Sequence, residues 1–425
     1  MGRFSAIIVV LALAAGIIAG TLVGNAGSPE LTGLAETVES VGVLWLNLLK
    51  MTVIPLVFCL LVNGIASVAD AAATGRLAAR SIFVFAVLLV SATVYACFAI
   101  PAALSLWPVD PAAGQALING ATSNPVQPAA PPTLGEWLAR LAPANPVQAA
   151  AETAVLPLTV FAVFFGFAAT RLPAAQREPM VGFFKSVADT LIVIVRWVLI
   201  AAPIGVFALS LGVGLRSGVG VAGVLFQYVA IASGVTLVIV AMAFLFAVFW
   251  GRMGPLKFLT GSAPVFATAI STQSSLATLP LMVERARDEM GVPARVANLT
   301  LPLAVAIFRM TSPVTNLAVA FFVAAAHGIE LGPAQIIAGA LVAIPISIGS
   351  VGLPGQVSFV ASVAPICAAM GLPIDILGIL LAIEVIPDIF RTLGNVAGDM
   401  AATVIAQRGK GGAATPEAEP AGAQP

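Results

Sequence analysis

Apolar positions run along this chain in long unbroken blocks, without the alternating or one-faced patterns of a soluble domain. The blocks fall at about 5–24, 42–69, 79–107, 148–171, 182–213 and 219–250, each reaching the roughly 20 residues needed to cross a bilayer. Between the third and fourth lie about 40 residues rich in Pro, Ala and Gly, including Pro125, Pro128, Pro131 and Pro132. Such a stretch cannot pack a core and predicts an aqueous loop. The first run, Ala6 to Val23, follows Arg3 and is longer than the apolar part of a cleaved leader. With many more runs behind it, it is expected to stay as the first span.

Beyond residue 256 the pattern changes. Lys257–Met290 starts and ends in charge yet is largely apolar inside, with a tip at Ser271-Thr272-Gln273-Ser274-Ser275. It predicts a re-entrant hairpin that enters and leaves on one side. A second hairpin is expected at about 334–370, with a tip running from Ser347 through Pro354 to Gly355. Two Ser/Gly/Pro tips entering from opposite faces are what an inverted repeat produces. Non-helical backbone survives at membrane depth where protein or a water-filled cavity satisfies it, and such matched breaks point to a binding site near the midplane. Taken singly, each tip also fits close packing between helices.

Composition agrees with this reading: 60% of residues are hydrophobic, 9% are charged, and mean hydropathy is +1.06. A soluble domain carries roughly 25% charged residues. The length leaves room for about eight spans. Net charge is zero with scattered basic residues, so nucleic acid is not an expected partner. Cys59, Cys97 and Cys367 lie far apart in apolar runs and read as buried small hydrophobes. His327 is the one histidine, which argues against a His-rich metal site. Arg76, Arg80, Arg171, Arg177, Arg252, Lys257, Arg285, Arg287, Arg295, Arg408 and Lys410 fall in alternate loops. By the positive-inside rule both termini are cytoplasmic, in a multi-pass inner-membrane protein.

The strongest chemical signal is a polar row on the last span: Glu384, Asp388, Arg391, Asn395 and Asp399, spaced four, three, four and four apart. On a 3.6-residue helix these share one face. Intramembrane charges are expensive and usually mark a substrate or ion path. An arginine fork takes a carboxylate bidentately, and a neighbouring acid holds an ammonium group, so Asp388 with Arg391 suits a zwitterion bearing an extra carboxylate. Mutual neutralisation as a structural pair is the plainer alternative. An intramembrane aspartyl protease is excluded by distance, since Asp388 and Asp399 stand about three turns apart on one helix, too far to share a proton. No enzyme and no cofactor is expected.

Several stretches resemble the glutamate transporter (dicarboxylate/amino acid:cation symporter) family, and the resemblance covers nearly the whole chain. It is carried by Lys50-Met-Thr-Val-Ile-Pro55, by Ala202-Pro203-Ile-Gly-Val-Phe-Ala208, by the serine-rich tip ending in Thr278-Leu279-Pro280, by Ser347–Gly355, and most closely by Asp388, Arg391, Thr392, Asn395 and Asp399. The resemblance implies an all-α membrane protein of eight transmembrane helices and two oppositely oriented re-entrant hairpins, assembled as a homotrimer of elevator-type protomers. It implies scaffold helices in 1–75 and 148–215, a third helix in 76–108, an extracellular loop in 109–147, the rest of the transport domain in 216–408, and a disordered tail in 409–425. By position, Asp388 would hold a substrate amino group and Arg391 its side-chain carboxylate, with Thr392 and Asn395 adding polar contacts. Ser274 and Ser275, with the loop of Val351, Gly352, Leu353, Pro354 and Gly355, would enclose the α-carboxylate. Ser312 stands where the family has a threonine at the substrate. The substrate expected is an acidic amino acid, aspartate or glutamate.

The chain departs from the family at its sodium motif. Where sodium-coupled members carry Asn-Met-Asp-Gly-Thr, this chain reads Phe308-Arg309-Met310-Thr311-Ser312. Neither Phe308 nor Met310 offers an oxygen. The innermost sodium site aligns with Val87, Val90 and Ser91. Asn395 and Asp399 remain of one ion site, and backbone oxygens at Ser347, Ile348 and Ser350 remain candidates for another. Arg309 supplies a fixed positive charge, and Pro313 cannot donate to its carbonyl, so the helix is expected to break there. The guanidinium is expected to reach Asp388 or Asp399 in place of sodium. Transport is then expected without obligatory sodium coupling, as facilitated diffusion, exchange or proton coupling, with Glu384 a candidate proton carrier and a hydrated acid at the cavity mouth the plainer alternative. A sodium- or proton-coupled symporter of a C4-dicarboxylate or cystine is the alternative, since Gln273 stands where some relatives place a charge-balancing arginine. A channel is the reading from another class.

Overall fold

The computed structural model describes residues 3–73, 75–121, 142–152, 154–349 and 355–408, whose regular structure is helical throughout. Residues 122–141 with Pro125, Pro128, Pro131 and Pro132, residues 350–354 and the stretch 409–425 lie outside these residues, so the centre of the expected loop, the gate loop and the tail have no structural account.

The long apolar runs become α1 (Arg3–Ala26), α2 (Pro29–Ala73) and α3 (Arg76–Leu106). Within the stretch read as loop, Pro111–Ala121 is helical (α4), started by Asp110, whose Oδ1 accepts from the amides of Ala112 at 2.8 Å and Ala113 at 3.1 Å. This is an N-cap that a reading of composition passes over. Asn145 caps α5 (Pro146–Ala151) in the same way. The fourth and fifth predicted spans are α6 (Val155–Ala169), α7 (Ala174–Ile200) and α8 (Ala202–Ser217). The last two are bent by 60° at Ala201, just before Pro203. Proline denies that turn a backbone donor and sets the kink.

The sixth run is α9 (Val221–Leu245), extended by a π turn to Trp250. Then come α10 (Pro255–Thr272), α11 (Ser275–Asp288), α12 (Ala294–Ile307), α13 (Ser312–Ala326), α14 (Pro333–Gly349), α15 (Gly355–Ala369), α16 (Leu377–Ile383) and α17 (Val385–Ala406). Among the described residues five helical segments are long and apolar enough to cross a membrane, α12 and α13 together counting as one, or six with the bent pair as one. The expected eight include α6, which is 15 residues long, and the polar α17.

Packing gathers the helices into two sets. In one, α1 lies along α8, and α2 along α6, α7 and α8. The α1–α8 seam is built on glycine: a Cβ on Gly214 would strike the Ile17 backbone, and one on Gly20 would lie 2.6 Å from the Leu215 nitrogen. Backbones approach this closely only through small residues. Trp45 of α2 rests on Gly205 and donates to the Val198 carbonyl at 2.9 Å. Arg216 ends α8 by ion-pairing with Glu39 of α2 while its Nε donates to the Asn119 carbonyl of α4 at 2.5 Å. In the other set α17 packs on α9, α3, α10 and α12, and α13 packs on α3 and α9. Helix α13 is buried on nearly every side, as a helix apolar all round must be. Helices α14 and α15 touch each other and α2.

Candidate functional site

Pro387 shapes the site first. It lacks the N–H that would continue the helix from Ile383, so the chain turns at Glu384 and α17 begins at Val385. The single polar row expected over 384–399 is therefore corrected at its head: Glu384 sits in the joint between α16 and α17. Its side chain nevertheless folds back onto the row. Oε1 lies 2.5 Å from Nη2 of Arg391, and Oε2 accepts from the Tyr228 hydroxyl at 2.7 Å. Glu384 is fully buried, and Asp388, Arg391, Thr392, Asn395 and Asp399 are buried along α17.

Arg391 is the hub. Its Nε donates to Thr315 Oγ1 at 2.8 Å, and Nη1 stands 3.8 Å from Asp388 Oδ1, one turn back. The pairing of Asp388 with Arg391 is thus present, and Glu384 joins it as a third member. Sequence reading missed Tyr228 and Thr315. Tyr228 is one of two tyrosines in the chain and sits in an apolar run, which is the signal that marks it.

The break beside Pro313 is where the sequence predicted it. Helix α12 ends at Ile307, Phe308 is extended at φ −117° and ψ 123°, and α13 starts at Ser312. The Arg309 carbonyl, which Pro313 cannot serve, accepts from the Ser312 amide at 3.1 Å. Thr311 locks the break to α17: its amide donates to Asn395 Oδ1 at 3.0 Å, and its hydroxyl lies 2.8 Å from the Arg391 carbonyl and 2.7 Å from Asn395 Oδ1. Gly394 and Gly398 admit this approach, since a Cβ on Gly398 would lie 3.0 Å from Met310 Cβ and 3.4 Å from Phe308 Cε1. Asn395, expected at a substrate or ion site, here accepts from the break.

Arg309 lies within the electrostatic field of both Asp388 and Asp399. Among the described residues it makes no ion pair within 4 Å with either, so the direct contact expected from sequence is not formed. Among the described residues, its buried Nε and both buried carboxylate oxygens of Asp399 have no hydrogen-bond partner. The third helix also departs from expectation. Val90 is 47% exposed and lines an apolar cleft against α14, and the partly exposed Ser91 bonds the Val87 carbonyl. The inward face of α3 runs instead through Phe85, Leu88, Leu89 and Ala92, with Phe85 stacked on Phe308.

The first hairpin tip is formed by Gln273 and Ser274. Gln273 takes a left-handed backbone (φ 51°), and Ser274 caps α11 by accepting from the Ala277 amide at 3.2 Å. Ser275 is buried in the first turn of α11, and both α10 and α11 pack on α17. Ser312 is buried at the start of α13. Ser347 and Ile348 lie in α14, and the Ser347 hydroxyl donates to the Ala343 carbonyl at 2.7 Å. Gly355 opens α15. Ser350, Val351, Gly352, Leu353 and Pro354 fall outside the described residues.

Residues 6–408 match the sodium:dicarboxylate symporter family. The neutral amino acid transporter B(0) of Bos taurus is 30% identical over 92% of this chain and 78% of its own length. The proton/glutamate-aspartate symporter of Escherichia coli is 30% identical over 86% of this chain and 83% of its own. The proton/sodium-glutamate symport protein of Bacillus caldotenax is 28% identical over 93% of each.

Proposed function

Since this chain belongs to the sodium:dicarboxylate symporter family, whose members are secondary transporters of amino acids or dicarboxylates and not enzymes, we propose that it carries an acidic amino acid, aspartate or glutamate, without obligatory sodium coupling. One observation carries the substrate reading: Asp388 and Arg391, both buried, lie one turn apart on α17 with Nη1 3.8 Å from Oδ1. An acid for an ammonium group and a guanidinium fork for a carboxylate are the two halves of an acidic amino acid's recognition. A symporter named for glutamate and aspartate among its relatives supports the same class.

Loss of sodium coupling is supported by the break. Phe308 and Met310 provide no oxygen to a hard cation, and sodium, like other hard ions, is held by oxygen ligands. Arg309 instead keeps a fixed positive charge in the field of Asp388 and Asp399. In this reading Ser274, Ser275, Ser312, Thr392, Asn395 and the Val351–Gly355 loop complete the substrate site. The hairpins are re-entrant, and the second helix set moves as an elevator against the first within a homotrimer. The chain sits in the inner membrane with both termini cytoplasmic, as the alternating basic loops support.

The test is L-aspartate binding to the purified protein by calorimetry, in sodium chloride and in choline chloride. Equal affinity is expected. Affinity that collapses in choline overturns sodium independence. Silence in both, with folded protein, removes aspartate and turns the search to a C4-dicarboxylate or cystine.

A further inference from the structure

His327 ends α13 with both ring nitrogens engaged. Nδ1 lies 2.8 Å from the Val323 carbonyl, one turn back, and Nε2 lies 3.3 Å from Asp375 Oδ1 and 3.5 Å from Oδ2. A carbonyl and a carboxylate only accept, and a neutral imidazole has one N–H to give. The ring serves both partners only as an imidazolium, and the C-terminal end of a helix favours such a cation. The pair is sheltered, with the His327 side chain 5% exposed and that of Asp375 14%. The turns that carry it are stitched together. Gln335 of α14 accepts from the Gly332 amide at 3.0 Å and donates to the Met370 carbonyl at 2.9 Å, and Asp375 accepts from the Ile376 amide at 2.9 Å. A second cation reaches Asp375 from the other helix set. Lys50 stands midway along α2, half-buried and in the field of Asp375, on a helix that packs against α14 and α15. One carboxylate therefore has two cationic claimants.

We propose that His327 is a pH switch on the grip between the two helix sets: protonated, it holds Asp375 within its own set, and on losing its proton it releases Asp375 to Lys50 of α2. The inference rests on the reading that the second set moves against the first. The proton leaves Nε2 for water, because Nδ1–H stays with the Val323 carbonyl, and the bond to Asp375 goes with it. The sign follows from charge. With an imidazolium, His327 and Asp375 together are neutral and draw Lys50 weakly. With a neutral ring they carry one negative charge and draw it strongly, in a setting with little water to screen it. The grip is weakest in acid and tightens as pH rises through the range in which histidine changes charge.

The other titratable groups on helices packed against α13 are accounted for. Helices α4 and α14 carry none, and Asp110, which caps α4, is engaged by the amides of Ala112 and Ala113. Helix α15 brings Cys367, fully buried and in the field of Asp375. Helix α9 brings Tyr228, bonded to Glu384 in the joint before α17. Helix α3 brings Arg76, Arg80, Cys97 and Tyr95, of which Arg80 bonds the Ile405 carbonyl and Tyr95 that of Val235. Asp388, Arg391 and Asp399 belong to α17, where Arg391 bonds Thr315 near the opposite end of α13 from His327. Glu330 follows His327 by three residues and is exposed. Among the described residues Asp375 is the one side chain that bonds the ring.

The experiment is a distance measurement by double electron–electron resonance on the full-length protein in detergent, from about pH 5 to about pH 8. Spin labels sit on Leu34→Cys of α2 and Leu256→Cys of α10, positions 64% and 73% exposed and one on each helix set, with Cys59, Cys97 and Cys367 replaced by alanine. This labelled parent is expected to show two distances, and the one matching this structure should gain on the other about fivefold or more as pH rises. His327→Asn keeps a donor for the Val323 carbonyl without a charge, and is expected to hold the high-pH ratio at every pH. Lys50→Gln removes the second claimant, and is expected to hold a low ratio at every pH. A pH response that survives in either variant overturns the proposal. So does a parent ratio flat in pH, the result of a merely structural pair, and that reading requires neither variant to fold. Two distances that ignore pH overturn the switch alone, and a single narrow distance at every pH overturns the movement of the sets with it.

Discussion

The rings of Phe85 and Phe308 lie nearly parallel, 9° apart in plane and 4.8 Å between centroids. One ring comes from the inward face of α3 and the other from the extended residue that ends α12, so the stack fills the junction between helix and break. Phe308→Ala is expected to lower stability by about 3–5 kcal/mol through lost burial and an unfilled cavity, read as a drop in thermal midpoint in detergent.

Returning oxygen to the break tests the coupling reading. The triple variant Phe308→Asn, Arg309→Met, Met310→Asp removes the fixed charge and adds two oxygen-bearing side chains beside Asn395 and Asp399. Sodium is expected to tighten its aspartate binding at least about tenfold, which corresponds to about 1.4 kcal/mol, with no such effect on wild type. A variant that folds and ignores sodium would sink the idea that these side chains decide coupling.

Arg391 and Glu384 should also be separable from the fold as a pair. Arg391→Met leaves Glu384 fully buried without its cation, and breaking a buried ion pair from one side costs about 3–5 kcal/mol. Adding Glu384→Met is expected to recover most of that loss in thermal stability while substrate binding stays absent. If the double variant is no more stable than the single one, the pair is not coupled as the distances imply.

Thr311 has one hydroxyl hydrogen for two acceptors, the Arg391 carbonyl and Asn395 Oδ1. Thr311→Val keeps the volume and removes the donor, with an expected loss of about 1–3 kcal/mol. Thr311→Ser should stay near wild type. Equal thermal midpoints for Val and Ser would show that the hydroxyl contributes nothing.

Two glycines give opposite expectations for the same substitution. At Gly214 a Cβ strikes the Ile17 backbone, so Gly214→Ala should force α1 from α8 and lower the thermal midpoint. At Gly234 on α9 a Cβ meets nothing within 4 Å, and Gly234→Ala should stabilise by about 0.5–1 kcal/mol. Melting curves of both variants decide the matter, and the same sign for both would count against the tight seam.

What was legible in the sequence had a local cause. Pro313 announced the break before it, the polar stretch from Ser271 to Ser275 announced a turn between two helices, and the spacing from Asp388 to Asp399 announced a polar face. What was not legible came from a distance or lacked an orienting contrast. Tyr228 reaches Glu384 across 156 positions, and no local pattern pairs them. The row from Glu384 to Asp399 was taken as one helix face, and the fold-back of Glu384 onto a residue seven positions on needs the geometry of the joint that Pro387 makes. Helix α3 is apolar nearly all round, so nothing in its pattern fixed which side faces inward, and Val87, Val90 and Ser91 were placed on the site side in place of Phe85.

Arg216 has a mechanical consequence. By fastening the end of α4 to α8 and α2, it leaves the links from Leu106 to Pro111 as the slack between α3 and a clamped point. Five peptide links extend to at most about 18 Å. With that clamp closed, α3 is on a tether of known length, and any stroke it makes along its own axis is limited by this short leash, whatever force drives it.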